Sequence, residues 1–240
     1  GTIYEMYKNN YSSTNRTSQT ATSGLYGSNY YILTSEFKVY LCINNGSDPE
    51  NPKGKTSKFE PTHTSTTVPA ADNTATGDGY QWKYLYTIAP ADIVKFVTTA
   101  YIPLPEKWGD VSTKTIKDAA VDGKLETIVI KRRGTATVDG VDGDISGIPI
   151  IGDGTGGTAT ATVTNGVVSE IKLSNTNSSG YTYAYVRFVN GTWGGKKLVV
   201  GTLTDEPQFE VIIPPKGGHG EDIYRELGAF RVMVYSKFDN

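Results

Sequence analysis

Apolar and polar residues alternate most clearly in YQWKYLYT, residues 80–87. Aromatic side chains occupy every second position: Tyr80, Trp82, Tyr84 and Tyr86. Because successive side chains of a β-strand point to opposite faces, this pattern predicts a strand with one aromatic face. We expect that face to lie in the core or in a protein interface, since Leu85 alone cannot anchor the opposite face. Exposed rings that stack on sugars or bases are the alternative.

The residues before this strand predict a hairpin and a long loop. YYILTSEFKVYLCI (residues 30–43) has two apolar runs around a turn near Thr34-Ser35-Glu36. Residues 44–76 are polar, and Asn-Gly together with two prolines breaks any regular element at their start. A connection of this length usually binds something or is held by a neighbouring subunit. The first 29 residues are also polar and predict an irregular arm, with an extended stretch at Thr2–Tyr7.

Short helices are predicted after the aromatic strand and near the end of the chain. Pro90 suits the first turn of APADIVKFV, whose buried stripe would be Ile93, Val94 and Val97. Near the end of the chain, Glu221 and Asp222 would begin a helix that Gly228 ends, and FRVMVYSKF (residues 230–238) would close the fold as a strand.

The second half of the chain differs from the first, because it combines a glycine-rich run with several predicted strands. LETIVIKRR (residues 125–133) predicts a strand, and a glycine-rich run follows it. TATATVT and VVSEIKL flank Asn165-Gly166, a dipeptide that tolerates positive φ and so predicts a tight hairpin. Further strands are predicted in three segments, YTYAYVRFV, KKLVVGTLT and PQFEVII.

These elements predict a mostly β fold with a few short helices. We expect a β-sandwich-like main domain made of residues 1–124 and 214–240. Residues 125–213 would form a small glycine-rich all-β module, which we interpret as an insertion into the main domain.

Composition narrows the classes of function. The chain has 23 Lys and Arg against 25 Asp and Glu, so it lacks the cation surplus that a non-specific nucleic-acid binder needs. The single cysteine, Cys42, lies in an apolar run where a buried, inert thiol is expected. No apolar stretch approaches the roughly 20 residues that span a bilayer, and no signal peptide is visible. We therefore expect no nucleic-acid partner and no membrane partner.

Motifs that could carry chemistry are weak. GDGTGG (residues 152–157) fits a dinucleotide-binding pattern, but a strand-like segment follows it where a helix would be required, so it predicts a turn. Four aspartates that could suggest calcium match no complete calcium loop and predict solvated turns: Asp139, Asp142, Asp144 and Asp153. Neither His63 nor His219 has the neighbours of a zinc site, and His219 is expected to serve packing or an interface. We expect no cofactor, no metal, no catalytic residues and no small-molecule substrate.

Three segments together resemble a known family. They are GDGYQWKYLYTI with the short helix and YIPLPEKWGD that follow, FKVYLCINN before a long polar loop, and PPKGGHGEDIYRELGA. In this order they resemble the baseplate wedge subunit of T-even-type contractile-tailed phages, particularly the cyanophage version. The likeness covers roughly residues 30–110 and 214–238, and the glycine-rich module departs from the T-even archetype. It also implies an N-terminal portion before GTIYEMY, consistent with a chain that begins at Gly1 without methionine.

The resemblance implies a non-enzymatic structural protein of the virion tail baseplate, assembled in the bacterial host cytoplasm. It would form a homodimer and bridge other baseplate wedge proteins. The loop at residues 44–76 and the helix at residues 221–227 would provide contacts. The interface candidates are Asp78, Tyr80, Trp82, Tyr84, Trp108, His219, Glu221 and Arg225. The alternative is a carbohydrate- or receptor-binding tail module that stacks sugars on Trp82, Trp108 or Trp193, and an enzyme such as a glycan depolymerase comes third.

Overall fold

A computed structural model of the chain describes residues 1–9, 30–73, 76–174, 177–229 and 231–238. Its elements are β1 (Tyr31–Leu33), β2 (Lys38–Asn45), β3 (Tyr80–Thr87), α1 (Pro90–Phe96), α2 (Lys114–Asp118), β4 (Thr127–Arg132), β5 (Ala136–Val138), β6 (Gly143–Gly152), β7 (Thr158–Thr164), β8 (Val167–Leu173), β9 (Ala184–Val186), β10 (Gly191–Trp193), β11 (Lys196–Val200), β12 (Gln208–Ile212) and α3 (Ile223–Glu226). Strands make up 34% and helices 8% of the described residues, so the predicted β-rich fold with few short helices is confirmed.

The first sheet has the order β1-β2-β3, and all its pairs are antiparallel. The predicted hairpin is confirmed, and Phe37 in its turn has a φ of 57°. Tyr40, Leu41 and Leu85 are each 0% exposed in the cluster of buried residues around this sheet, which we call the first core. The N-terminal residues join the sheet where the Tyr7 amide donates to the Cys42 carbonyl at 2.9 Å.

The largest sheet has the order β8-β7-β6-β9. Its β7–β8 hairpin turns at Asn165 and Gly166, whose φ values of 54° and 72° are the positive values that the Asn-Gly pair predicts. β7 places Ala159, Ala161 and Val163 in a second cluster of buried residues, the second core. A smaller sheet, β10-β11-β5, packs its residue Leu198 into the same core.

Two strands lie between the cores. β4 and β12 pair antiparallel, and Thr127 lies opposite Ile212. Val129 of β4 belongs to the first core, whereas its neighbours Ile128 and Ile130 belong to the second. Both faces of β4 are therefore buried, which explains why its sequence is a continuous apolar run instead of an alternating one.

Several sequence predictions differ from the structure. α1 forms as predicted and packs Ile93 and Val97 against the first core, but Val94 is 89% exposed and does not belong to its buried stripe. The predicted C-terminal strand is absent from residues 231–238, the part of that segment that the structure describes. The glycine-rich run contains β5 and the ten-residue β6, neither of which was predicted, and α2 was also missed. Most of the predicted N-terminal arm, residues 10–29, lies outside the described residues.

Candidate interaction surfaces

The aromatic side chains of β3 are mostly buried. Tyr80 and Trp82 are 7% and 6% exposed, and their rings stack with centroids 5.3 Å apart. Tyr4 packs edge-on against both rings, at 6.4 and 5.6 Å. Aromatic pairs in these geometries stabilise a core beyond their buried area. Of the two alternatives for this face, the structure therefore supports the core for Tyr80 and Trp82.

The loop after β2 covers the outer edge of this strand. The Tyr80 hydroxyl donates to the Lys55 carbonyl at 2.8 Å, and the Lys58 amide donates to the Asp78 carboxylate at 2.8 Å. His63 Nε2 lies 3.0 Å from the Trp82 carbonyl oxygen. Burial raises the pKa of Tyr80 to about 12 and lowers the pKa of His63. These groups are thus uncharged near neutral pH, as their enclosed positions require.

The segment before α3 is held by a buried contact between a histidine and a carboxylate. His219 Nδ1 contacts the Glu226 carboxylate, and the two side chains are 2% and 1% exposed. The other carboxylate oxygen of Glu226 accepts the Gly220 amide at 2.7 Å. The Tyr7 ring packs edge-on against the His219 ring, with centroids 4.5 Å apart. Burial, together with the charge of Glu226, raises the pKa of Tyr7 well above its ordinary value.

Trp108 and Tyr224 connect the same segment to the chain before α2. The Trp108 indole N–H donates to the Gly220 carbonyl at 2.8 Å. The Tyr224 hydroxyl accepts the Trp108 amide at 3.1 Å and donates to the Pro105 carbonyl at 2.7 Å. The Asp222 carboxylate caps α3 by accepting the Arg225 amide at 3.0 Å, which confirms the predicted helix start.

The predicted interface residues therefore fall into two groups. Asp78, Tyr80, Trp82 and His219 are buried within the chain, and Tyr84 and Trp108 are half-buried. Glu221 and Arg225 are exposed. Only the exposed members offer substantial surface to a partner, so the prediction of an interface rests on them and on the exposed residues around them.

The four aspartates of the glycine-rich module are all exposed, and three of them lie at turns or bends as predicted, whereas Asp144 lies in β6 and accepts the Thr162 hydroxyl across the strand pair. The Asp142 carboxylate accepts the amides of Asn165 and Gly166 at 2.6 and 2.9 Å, which supports the β7–β8 turn. The Asp153 carboxylate accepts the Thr182 hydroxyl at 2.5 Å and the amides of Thr182 and Tyr183 at 2.8 and 3.2 Å. Among the described residues, no group of three or more acidic, His or Cys side chains could hold a metal ion.

Asp153 is expected to titrate at about pH 2, because the Thr182 hydroxyl and the two amides lower its pKa from the ordinary value of 3.8 to about 2. Its bonds stabilise the fold above about pH 4 and are lost as the pH falls through the folded pKa. NMR titration of the carboxyl carbon measures this value. Thr182→Val removes the largest cause and should raise the Asp153 pKa, whereas Thr137→Val in β5 should not change it.

Two residues that organise these contacts were not predicted from the sequence. The sequence shows Glu226 only as an acidic residue about one helical turn after Asp222, and nothing in that position predicts its contact with His219. Arg133 forms an ion pair with Glu50 at 2.6 Å and donates to the Val168 and Ser169 carbonyls at 3.0 and 2.9 Å. It thereby ties the long loop to β8. The partners of Arg133 are 35 or more residues away from it in sequence, so no local pattern could have joined them.

None of the described helices is long and apolar enough to cross a membrane. The fold and these contacts define a β-rich protein whose prominent polar and aromatic groups fasten its own segments together.

A comparison with protein families refines that class. Residues 33–141, just under half of the chain, match the model of the phage Gp8 family, described as bacteriophage T4 Gp8. Gp8 is a structural component of the virion tail baseplate, in its wedge, and the match supports a T4-like baseplate wedge protein. The matched residues include β2, β3, α1, α2, β4 and β5. No curated protein and no solved structure matches the chain significantly.

Proposed function

We propose that the chain is a structural subunit of the baseplate wedge of a contractile phage tail, where it forms a homodimer and bridges neighbouring wedge proteins. The observation that carries this proposal is the match of residues 33–141 to the Gp8 family. That region contains the aromatic strand β3 and its approach, the same residues whose sequence resembles the wedge subunit. The further likeness of residues 214–238 to cyanophage forms lies outside the match and supports a cyanophage-type version of the subunit.

The exposed parts of the two predicted contact segments are the proposed bridging surfaces. Phe59 lies in the long loop and is 59% exposed, although the backbone beside it is fixed where the Lys58 amide donates to Asp78, just before β3. Tyr224 and Arg225 are exposed on α3, whose opposite side is buried through Ile223. Each segment thus presents an ordered apolar or cationic group on a fixed backbone, and such preorganisation lowers the entropy cost of binding.

The carbohydrate-binding alternative has less support. Trp82 is 6% exposed, and the indole N–H groups of Trp108 and Trp193 donate to the Gly220 and Val189 carbonyls of the chain itself. A sugar-stacking platform requires an open ring face, and the polar edges of two of these rings are already engaged.

Image reconstruction of the phage particle tests the proposal directly. We expect two adjacent copies of the chain in each wedge of the baseplate. Phe59→Asp should weaken association with the other wedge proteins about tenfold, the size of a loss of about 1.4 kcal/mol at a contact residue. Sedimentation of the purified proteins measures this change, and the melting temperature of the variant should stay unchanged.

Leu203→Asp is the matched control, because Leu203 is 88% exposed and lies in neither contact segment. A substitution is a sharper test than deletion of the loop, since the loop covers Tyr80 and Trp82 and its loss would expose the first core. Absence of the chain from the baseplate would contradict the proposed function. Equal association of both variants would contradict the role of the loop.

A further inference from the structure

Residues 58–69 of the long loop lie along the outer edge of β3, and we call them the strap. No backbone–backbone hydrogen bond joins the strap to another residue that the structure describes. Its bonds to the rest of the described chain use side chains instead. The Tyr40 hydroxyl donates to the His63 carbonyl at 2.5 Å, and the Gln81 side-chain amide donates to the Pro69 carbonyl at 3.1 Å. The attachment of the strap therefore depends on the state of a few side chains.

The His63 side chain joins the strap to the backbone of β3. Its Nε2 lies 3.0 Å from the Trp82 carbonyl oxygen, which only accepts, so the neutral ring carries its proton on Nε2. The other ring nitrogen, Nδ1, is inaccessible to solvent and has no hydrogen-bond partner among the described residues. The Tyr40 ring packs edge-on against the imidazole at 5.4 Å, and burial raises the pKa of Tyr40 to about 12, so its phenol is uncharged. This enclosure suits a neutral imidazole and offers no acceptor for a second proton.

The charged groups of β2 and its turn oppose a charge on His63. Lys38 donates from Nζ to the carbonyl of the residue before His63, at 3.0 Å. Two acids lie on the same side of the strap, Glu36 and Glu60. Glu36 is paired with Lys38 at 2.5 Å, and Glu60 accepts the amide and the hydroxyl of Ser35, both at 2.8 Å. A protonated imidazole would thus be a second cation beside Lys38, without a carboxylate of its own.

β3 and the residues just before it supply one further anion and one further cation. Asp78 lines the same small pocket as His63, and its carboxylate accepts the Lys58 amide at 2.8 Å. Lys83 Nζ is 3.5 Å from the carbonyl oxygen of Thr66 in the strap. Neither charged group forms a hydrogen bond or an ion pair with the imidazole in the described chain. The surroundings therefore do not stabilise the charged form of His63.

The pKa of His63 agrees with this geometry. Burial lowers this pKa below its ordinary value of 6.5, the bond to the Trp82 carbonyl raises it in part, and the charge of Lys38 lowers it further. The strap in place consequently binds the proton less readily than a released strap, whose His63 would lie in water. The contribution of His63 to attachment is present above pH 6.5 and is lost as the pH falls through the lower pKa of the attached strap.

We propose that His63 is a proton-sensitive latch: the neutral imidazole holds the strap on β3, and protonation favours its release. Release would uncover the Trp82 carbonyl and the wall of the pocket that Pro61, Pro69 and Tyr80 line. The strap also carries the exposed Phe59, so the bridging contact would move with it. That consequence rests on the proposed function, whereas the latch itself belongs to the isolated chain.

Hydrogen exchange of the Lys58 amide measures how often the strap opens, because this amide donates to Asp78 only while the strap is in place. Its rate is measured by NMR from about pH 7.5 to about pH 5 and compared with that of an unprotected amide at each pH. In the wild type we expect protection to fall on acidification, by up to about tenfold for each unit by which the His63 pKa lies below 6.5. NMR titration of the His63 ring gives that pKa independently.

His63→Gln is the matched variant, because the glutamine amide offers a donor for the Trp82 carbonyl and does not titrate in this range. Its protection should not change with pH, and this comparison also removes any effect of Asp78 on the amide. A wild type without a fall in protection, or an equal fall in both proteins, would overturn the latch.

If the glutamine variant already leaves the strap open at about pH 7.5, the wild type alone decides. A fall in Lys58 protection that follows the titration of the His63 ring supports the latch, and a fall at a different pH overturns it. All of these measurements use the full chain without wedge partners. Their failure would therefore leave the proposed structural role intact.

Discussion

Glu226→Ala is expected to lower the free energy of unfolding by about 2–5 kcal/mol, because two buried groups that now contact the carboxylate would each lose their partner at a cost of about 1–3 kcal/mol. The substitution leaves His219, which is 4% exposed, without its carboxylate partner. It also leaves the Gly220 amide without the acceptor that now lies at 2.7 Å. Because Tyr7 packs on the His219 ring, the N-terminal residues should loosen together with α3. Urea denaturation of the full chain measures the loss.

Two control variants separate the carboxylate from the general effect of a substitution. Glu226→Gln keeps the shape and one acceptor oxygen for the Gly220 amide, so it should lose much less than the alanine variant. Glu221→Ala changes an exposed acid in the same segment and should stay within about 0.5 kcal/mol of the wild type. If the two alanine variants were equally stable, the buried contact with His219 would contribute nothing to the fold.

Local patterns predicted the strands that alternate clearly or flank a marked turn. β3, β7 and β8 have the bounds that their sequences predict, because alternation defines a strand and Asn165-Gly166 fixes the register of a hairpin. β6 was missed since glycine and proline, which weaken strand propensity, occupy several of its positions. Its neighbours β7 and β9 hold it in the sheet by pairing with it. A short stretch of sequence does not contain these partners, so it could not predict the strand.

The candidate surfaces were less predictable than the strands, because burial depends on contacts distant in sequence. Trp82 was predicted as an interface candidate, but it is buried within the chain, where Tyr4 and the loop near His63 cover it. The C-terminal segment has strand propensity, but its described part, residues 231–238, forms no strand. Propensity predicts that a segment prefers to be extended, whereas a strand requires another strand beside it.

Two connections join the first and second cores, and the second of them involves the GGHGED segment, residues 217–222. β4 buries Val129 in the first core and Ile128 in the second, so movement between the cores would strain this strand. A second connection runs through residues 121–123: the Asp122 carboxylate accepts the Gly217 amide at 2.6 Å, and the Asp122 carbonyl accepts the Gly180 amide at 2.8 Å. The GGHGED segment therefore reaches both halves of the chain through one short turn.

Gly218→Ala is expected to destabilise the fold by about 2–5 kcal/mol, since it adds strain and overlap at this turn. Gly218 has a φ of +92°, a conformation that L-residues with a side chain rarely adopt. A Cβ atom there would lie 2.4 Å from the Val121 carbonyl oxygen and 2.6 Å from its amide nitrogen. Both contacts are with backbone, which cannot rotate away as a side chain can. Thermal unfolding and urea denaturation measure the loss.

Gly140→Ala is the matched control for this substitution. Gly140 has a φ of +84°, but a Cβ atom there would meet nothing within 4 Å. It should therefore show only the conformational cost of about 1–2 kcal/mol. The difference between the two losses of stability measures the effect of the close approach of the GGHGED segment to Val121. Equal losses of stability would mean that the GGHGED segment shifts freely away from residues 121–123. The segment would then not hold the two halves of the chain together.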